Sequence, residues 1–163
     1  MKAILLATVA AITIQPFVFI LFVLSPILVI GGEIQFMEFF GISFYSALIS
    51  VPFIVTIGIP SLFVLRRFNL LTWQSLGAVG FIVAAIPIAI YGWSEYPGYS
   101  SAGGWYGSSV TFVIEGRKTF YGWVQYARDI LLFAIHGLVG GLVFYFVWCR
   151  AMRSNKSIKA TVE

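Results

Sequence analysis

The side chains able to do chemistry are few in this chain of 163 residues: one histidine (His136), one cysteine (Cys149) and six carboxylates. A lone cysteine excludes an intramolecular disulfide, a zinc site built from cysteines and a CxxC redox pair. A lone histidine excludes the multi-histidine metal sites. No GxSxG, HExxH, Walker or glycine-rich dinucleotide motif is present. Glu33, Glu38, Glu95, Glu115 and Asp129 fall between apolar segments, but nothing in their spacing brings two together as acid and base. Cys149 stands beside Arg150, where acylation has no supporting motif. The sequence therefore predicts no catalytic residue, no metal and no cofactor, and a protein that is not an enzyme.

The remaining polar groups sit inside apolar stretches. A titratable residue within a membrane segment is a functional candidate by default, so His136 is read first as a proton relay or gate. With one histidine and no second charge inside a span, a relay has no next station. The favoured reading is thus a neutral His136 hydrogen-bonded to Gln15, or to a serine, across a helix bundle. Ser43, Ser46 and Ser50 recur on one helix face, and such a stripe more often bonds to a neighbouring helix than lines a pore. Gly137 and Gly141 form a GxxxG spacing beside Gly140. Small residues so spaced let helices approach closely, within the monomer as the favoured reading, or in a homo-oligomer.

The elements that must position these residues follow from composition. Hydrophobic residues make up 60% of the chain and charged residues 10%, against about 25% charged in soluble domains. A bilayer core about 30 Å thick needs ~20 apolar residues in a helix. Four stretches qualify: 3–30, 39–65, 70–91 and 130–149. The first two exceed a perpendicular crossing. They contain Pro16, Pro26, Pro52 and Pro60, whose freed backbone carbonyls Thr13, Gln15, Ser50 and Thr56 are placed to satisfy. The first run is too long for a signal-peptide core of about 7–15 residues and is expected to remain as a span.

Lys2, Arg66, Arg67, Arg150, Arg153, Lys156 and Lys159 fall on one side of these spans, and Arg117, Lys118 and Arg128 on the other. This bias places both termini and the short Arg66–Asn69 turn in the cytoplasm. The basic charge is a topology signal and a contact for anionic lipid. No basic patch combines with a nucleic-acid-binding motif, so nucleic acid is not an expected partner. The fold expectation is an all-α membrane protein, one integral domain over 1–163. It is an antiparallel four-helix transmembrane bundle with a periplasmic β-hairpin between spans three and four, and a frayed tail from Ser154.

The outer loop, 92–129, is dense in aromatic residues. An interfacial belt is the commoner origin of such enrichment, and a surface gripping a lipid headgroup, a glycan or a protein is the sharper one. Within it, Val110–Trp123 reads as a hairpin turning at Gly116-Arg117, with Gly first as a type II′ turn prefers. That register opposes Glu115 to Lys118, Ile114 to Thr119, Phe112 to Tyr121 and Val110 to Trp123. Pro97–Ser109 before it is Gly/Ser-rich and reads as a mobile turn region. Phe112, Tyr121 and Trp123 would be the aromatic anchors of a lipid or protein contact, with Arg117 at the tip.

The segments Gly58–Arg67 with Trp73, Val113–Gly116 with Gly122-Trp123, and Gly137–Trp148 resemble a pattern in small, largely uncharacterised bacterial four-span inner-membrane proteins, over about residues 50–150. The resemblance implies location and topology and no catalytic residue. In size and span number the chain is also similar to immunity proteins of pore-forming toxins. The functional expectation is a non-enzymatic inner-membrane protein acting through protein or lipid contacts, such as toxin immunity or an accessory subunit. The alternative is a small oligomeric transporter or channel using Gln15, the serines and His136.

Overall fold

The structure, a computed structural model, describes residues 2–29, 36–93 and 96–162, apart from the side chains of 23–29, 36–39, 42 and 154–162. Glu33, Glu95, Glu163 and the connection at 30–35 therefore lie outside the described residues, as does the side chain of Glu38. The helices are α1 (Lys2–Val29), α2 (Phe36–Phe53), α3 (Ile59–Arg67), α4 (Trp73–Trp93) and α5 (Phe120–Val162). A five-residue π-helical turn, Ile54–Gly58, joins α2 to α3, so the two form one span. Among the described residues, four stretches are long and apolar enough to cross a membrane: Lys2–Phe22, Ser43–Arg67, Trp73–Trp93 and Phe120–Arg153. The chain is a polytopic, four-helix membrane bundle.

Helix α5 is central and packs on both α4 and α1, while α2 packs chiefly on α1 and α3 meets α4. Small residues make these approaches close, as bilayer packing requires without a hydrophobic drive between helices. The buried face of α1 is Ala3, Ala7, Ala11, Gln15 and Val18, one helical stripe. Between α4 and α5, a Cβ on either Gly80 or Gly137 would strike the other's carbonyl oxygen, and one on Gly141 would lie 2.6 Å from Leu76 O. Gly137 and Gly141 thus pack inside the monomer. Large side chains such as Leu5, Leu21, Phe44 and Ile90 point away from the bundle, as lipid-facing positions should. At the end holding the Arg66–Asn69 turn, Ala7, Ala11, Leu62, Leu76 and Phe144 form a close-packed plug.

Local chemistry sets the helix ends. Asn69 takes a left-handed φ of 55°, which Asn tolerates. Leu70 N–H then donates to Leu65 O at 2.9 Å and Asn69 N–H to Arg66 O at 3.2 Å, the Schellman arrangement that ends α3. Thr72 Oγ1 accepts from Ser75 N–H at 3.1 Å and starts α4. The π turn reflects Pro60: Ile59 N–H donates to Ile54 O, so the helix has widened by a residue just before the ring. Thr13, Gln15, Ser50 and Thr56 do bond to backbone carbonyls, those of Val9, Ala11, Ala47 and Pro52. These are not the carbonyls the prolines free, which lie four residues before each ring, at Ile12, Phe22, Leu48 and Thr56.

The sheet between α4 and α5 has three antiparallel strands, β1 (Ser101–Trp105), β2 (Ser108–Ile114) and β3 (Arg117–Lys118). The expected hairpin is present as β2 and β3, in another register and with a third strand added. Ile114 faces Arg117 and Val113 faces Lys118, so the turn is Glu115-Gly116 rather than Gly116-Arg117. Glu115 and Gly116 have φ of 48° and 87°, and Tyr106 and Gly107, between β1 and β2, have 46° and 85°. Two consecutive positive φ values are the type I′ signature, which matches strand twist. Phe112 and Val110 do not face Tyr121 and Trp123, because both of those residues lie on α5.

Thr119 decides this. Its Oγ1 accepts from Gly122 N–H at 3.2 Å, capping α5, while its hydroxyl donates to Thr111 O at 2.6 Å. Its N–H donates to Phe112 O at 2.9 Å. The strand therefore stops at Lys118 and the helix starts ten residues before the apolar stretch at 130. The Gly/Ser-rich segment before Ser109 contributes β1 instead of a mobile turn, and α5 continues through the expected tail to Val162. Residues 151–162 contain neither Pro nor Gly, so nothing stops the helix there.

Candidate functional site: an aromatic cap above an intramembrane cavity

Two places bring the sequence-singled residues together. The first is the cap formed by the sheet and the start of α5. Tyr126 on α5 donates its hydroxyl proton to Ala89 O at 2.7 Å, and its ring lies where a Cβ on Gly92 would be, 2.7 Å from the ring carbons. Around it, Trp93, Trp123 and Tyr126 meet edge to face at centroid distances of 5.6, 5.7 and 6.4 Å. The Lys118 ammonium lies 5.3 Å from the Trp123 ring and 5.5 Å from the Tyr126 ring, within the range of cation–π attraction.

A second ring cluster centres on Trp105, which touches Phe112 at 6.1 Å and Tyr121 at 6.3 Å. The Arg128 guanidinium sits 5.9 Å from that indole. Phe112 and Tyr121 therefore share a cluster as the sequence suggested, but through Trp105 and not as a cross-strand pair. Trp123 belongs to the other cluster. Arg117 is exposed beside the second turn. Trp93, Trp105 and Tyr126 belong to the aromatic-rich loop read from the sequence but were not singled out as anchors, and sequence reasoning missed Lys118 and Arg128 as cations lying over those rings. The Tyr106-Gly107 turn would have exposed Trp105, since Gly after a turn residue between two extended runs is a hairpin signal.

The second place is a cavity of about 130 Å³ inside the bundle, walled by all four spans. Gln15 and Phe19 come from α1, Ser46 and Ser50 from α2, Ala84 from α4 and His136 from α5. Gln15 is 4% exposed. Its Nε2 donates to Ala11 O at 3.1 Å and His136 O at 3.3 Å. Both partners are carbonyls, so the other amide atom is the oxygen, and it lies 2.6 Å from His136 Nδ1. An amide oxygen only accepts, so Nδ1 carries the proton and donates. The pairing is the one the sequence favoured for His136.

His136 Nε2 is left buried with no hydrogen-bond partner among the described residues. Ser50 donates to Ala47 O at 2.8 Å. Ser43 is not part of the cavity wall. Gly140 leaves the room Gln15 occupies, since a Cβ there would lie 2.7 Å from Gln15 Nε2. Gln15, Ser46, Ser50 and His136 thus converge, on a wall that is otherwise apolar. Comparison with family models, with curated proteins and with solved structures gives no match for this chain, so its function is argued from this geometry.

Proposed function

We propose that this is a non-enzymatic protein of the bacterial inner membrane, with both termini cytoplasmic, that acts by contact through its aromatic cap. Toxin immunity or service as an accessory subunit fits this reading, with a protein partner at the outer face. The carrying observation is a folded sheet, stapled to the start of α5 by Thr119, with exposed aromatic rings carried by the sheet's first turn and by α5 beside it. Phe120 is 77% exposed, Tyr106 54% and Trp123 41%. Rigid amphipathic rings dominate interface energetics, and Lys118, Arg128 and Arg117 add cationic edges for an acidic partner. Membrane lipid is the other contact such a belt makes.

A photoreactive residue at Tyr121, whose ring meets Phe120 at 5.7 Å, tests this in intact cells. The expected result is one discrete protein adduct, weakened about tenfold or more in Phe120→Ala at unchanged membrane abundance. Adducts of lipid alone would remove the protein contact.

The second reading, a small transporter or channel, is favoured by the convergence of Gln15, Ser46, Ser50 and His136 on one cavity. Against it stand the mostly apolar wall and the plug of Leu62, Leu76 and Phe144. Flux through purified protein in liposomes, lost in His136→Ala, would reverse the preference.

A further inference from the structure

We infer that the lipid-facing groove between α4 and α5 holds one acyl chain of an anionic phospholipid, with the phosphate at the groove's basic end. Nothing in this depends on how the cap is used. The groove has a volume of about 380 Å³, with Ile82 of α4 on one rim, Leu138 and Leu142 of α5 on the other, and Trp73 and Gln74 at one end. It is shallowed to a floor at Gly77, where a Cβ would lie 3.1 Å from Leu138 and 3.2 Å from Leu142. Gly77 is buried, while Ile82 is 55% exposed and Trp73 49%. The groove therefore opens sideways into the bilayer.

Its shape suits a flexible chain better than another helix. A bilayer gives no hydrophobic drive between helices, so a docking helix needs small residues on the face it meets. Gln74, Ala78 and Ile82 follow one another along the groove at one-turn spacing, and only Ala78 is small. The large rim side chains would hold a helix off the floor, whereas an alkyl chain lies along it. From Gln74 to Ile82 the helix rises about 12 Å, close to the ~15 Å hydrocarbon depth of a single leaflet.

The polar end fixes the headgroup. Trp73 has the amphipathic ring of an interfacial residue, and the exposed Gln74 amide stands beside it. On α5 the stripe through Leu142 continues to Cys149 and Arg153, about three turns further toward the same end. Helix α3 brings Arg66 and Arg67 there in its last turn. Of the ten Lys and Arg, all but Arg117, Lys118 and Arg128 belong to this end, and Glu163 is the one carboxylate the sequence places with them. Uncompensated positive charge beside an apolar groove of single-leaflet length selects a negative head on an apolar tail. The tail is as much at home in the bilayer as in the groove, so headgroup charge decides occupancy.

Nanodiscs of equal phosphatidylglycerol and phosphatidylcholine with identical chains, followed by native mass spectrometry of the released protein, test this. The expected result is one retained phosphatidylglycerol, favoured about tenfold or more over phosphatidylcholine. Arg153→Gln should reduce that preference about fivefold. Ala78→Trp fills the groove from an exposed position and leaves every charge in place, and it should abolish the adduct. Leu5→Trp, an equal enlargement on the exposed face of α1, should keep it. Equal retention of the two lipids, a preference unchanged in Arg153→Gln, or an adduct that survives Ala78→Trp would each overturn the inference. A protein dimer in place of the lipid adduct, dissolved by Ala78→Trp, would give the groove to a second copy and overturn it as well.

Discussion

Gly137→Val should dismantle the α4–α5 interface. A Cβ at Gly137 runs into the Gly80 carbonyl and comes within 2.7 Å of Ala84 Cβ. Both are fixed parts of a facing helix, so no flexible side-chain tip can yield. Overpacking commonly costs about 1–3 kcal/mol, and a collision with backbone belongs at or above the top of that range. Helix α5 is the element on which α1 and α4 both pack, so the loss spreads through the bundle. Thermal unfolding in detergent should show a large fall in midpoint, with reduced membrane abundance. Gly41→Ala is the matched control, since a Cβ there meets nothing within 4 Å and Ala is the better helix former by about 1 kcal/mol. Equal stability of both variants would mean that α4 and α5 do not touch along Gly80 and Gly137.

Gly122→Val should detach the cap while sparing the spans. A Cβ at Gly122 would strike Phe112 O and lie 3.3 Å from the Lys118 side chain. The Phe112 carbonyl is also the acceptor for Thr119 N–H, so β2 cannot withdraw without breaking the bonds that tie it to Thr119. The expected effect is about 2–3 kcal/mol on the local structure. Protease cleavage within 101–118 should accelerate at least tenfold, with the α-helical signal unchanged. Thr119→Val should move the same readout in the same direction but less, because losing an N-cap costs about 1–2 kcal/mol. A sheet as protected in Gly122→Val as in the native chain would refute the close approach at Phe112.

The four spans were legible because bilayer thickness imposes one requirement, a long uncharged run, and composition meets it four times. The Gln15–His136 pair was legible for a related reason: few strongly polar groups occur inside those runs, and each needs a partner. Boundaries were harder. The segment Phe120–Asp129 is helical but not apolar, so hydropathy starts the fourth span ten residues late. The hairpin register failed at Glu115, a residue that seldom adopts a left-handed φ and here takes 48°. Placing the turn one residue later moved every cross-strand partner by two residues, so that Lys118 was set against Glu115 instead of Val113. Thr119 then read as a strand residue, although its hydroxyl caps a helix. The partner of Gly137 was unreadable in principle. A GxxxG spacing states that a helix has a smooth face, and only the folded chain shows that Gly80 lies against it.

The central claim is a four-span membrane protein whose cap lies outside the cell membrane and whose termini lie within. Reporter fusions after Asn69, Ser109 and Ser154 test it most directly. The account predicts that a reporter active only outside the cytoplasm works after Ser109 alone, while one active only in the cytoplasm works after Asn69 and Ser154. A cytoplasmic signal from the Ser109 fusion, or an external one from Asn69, would contradict it.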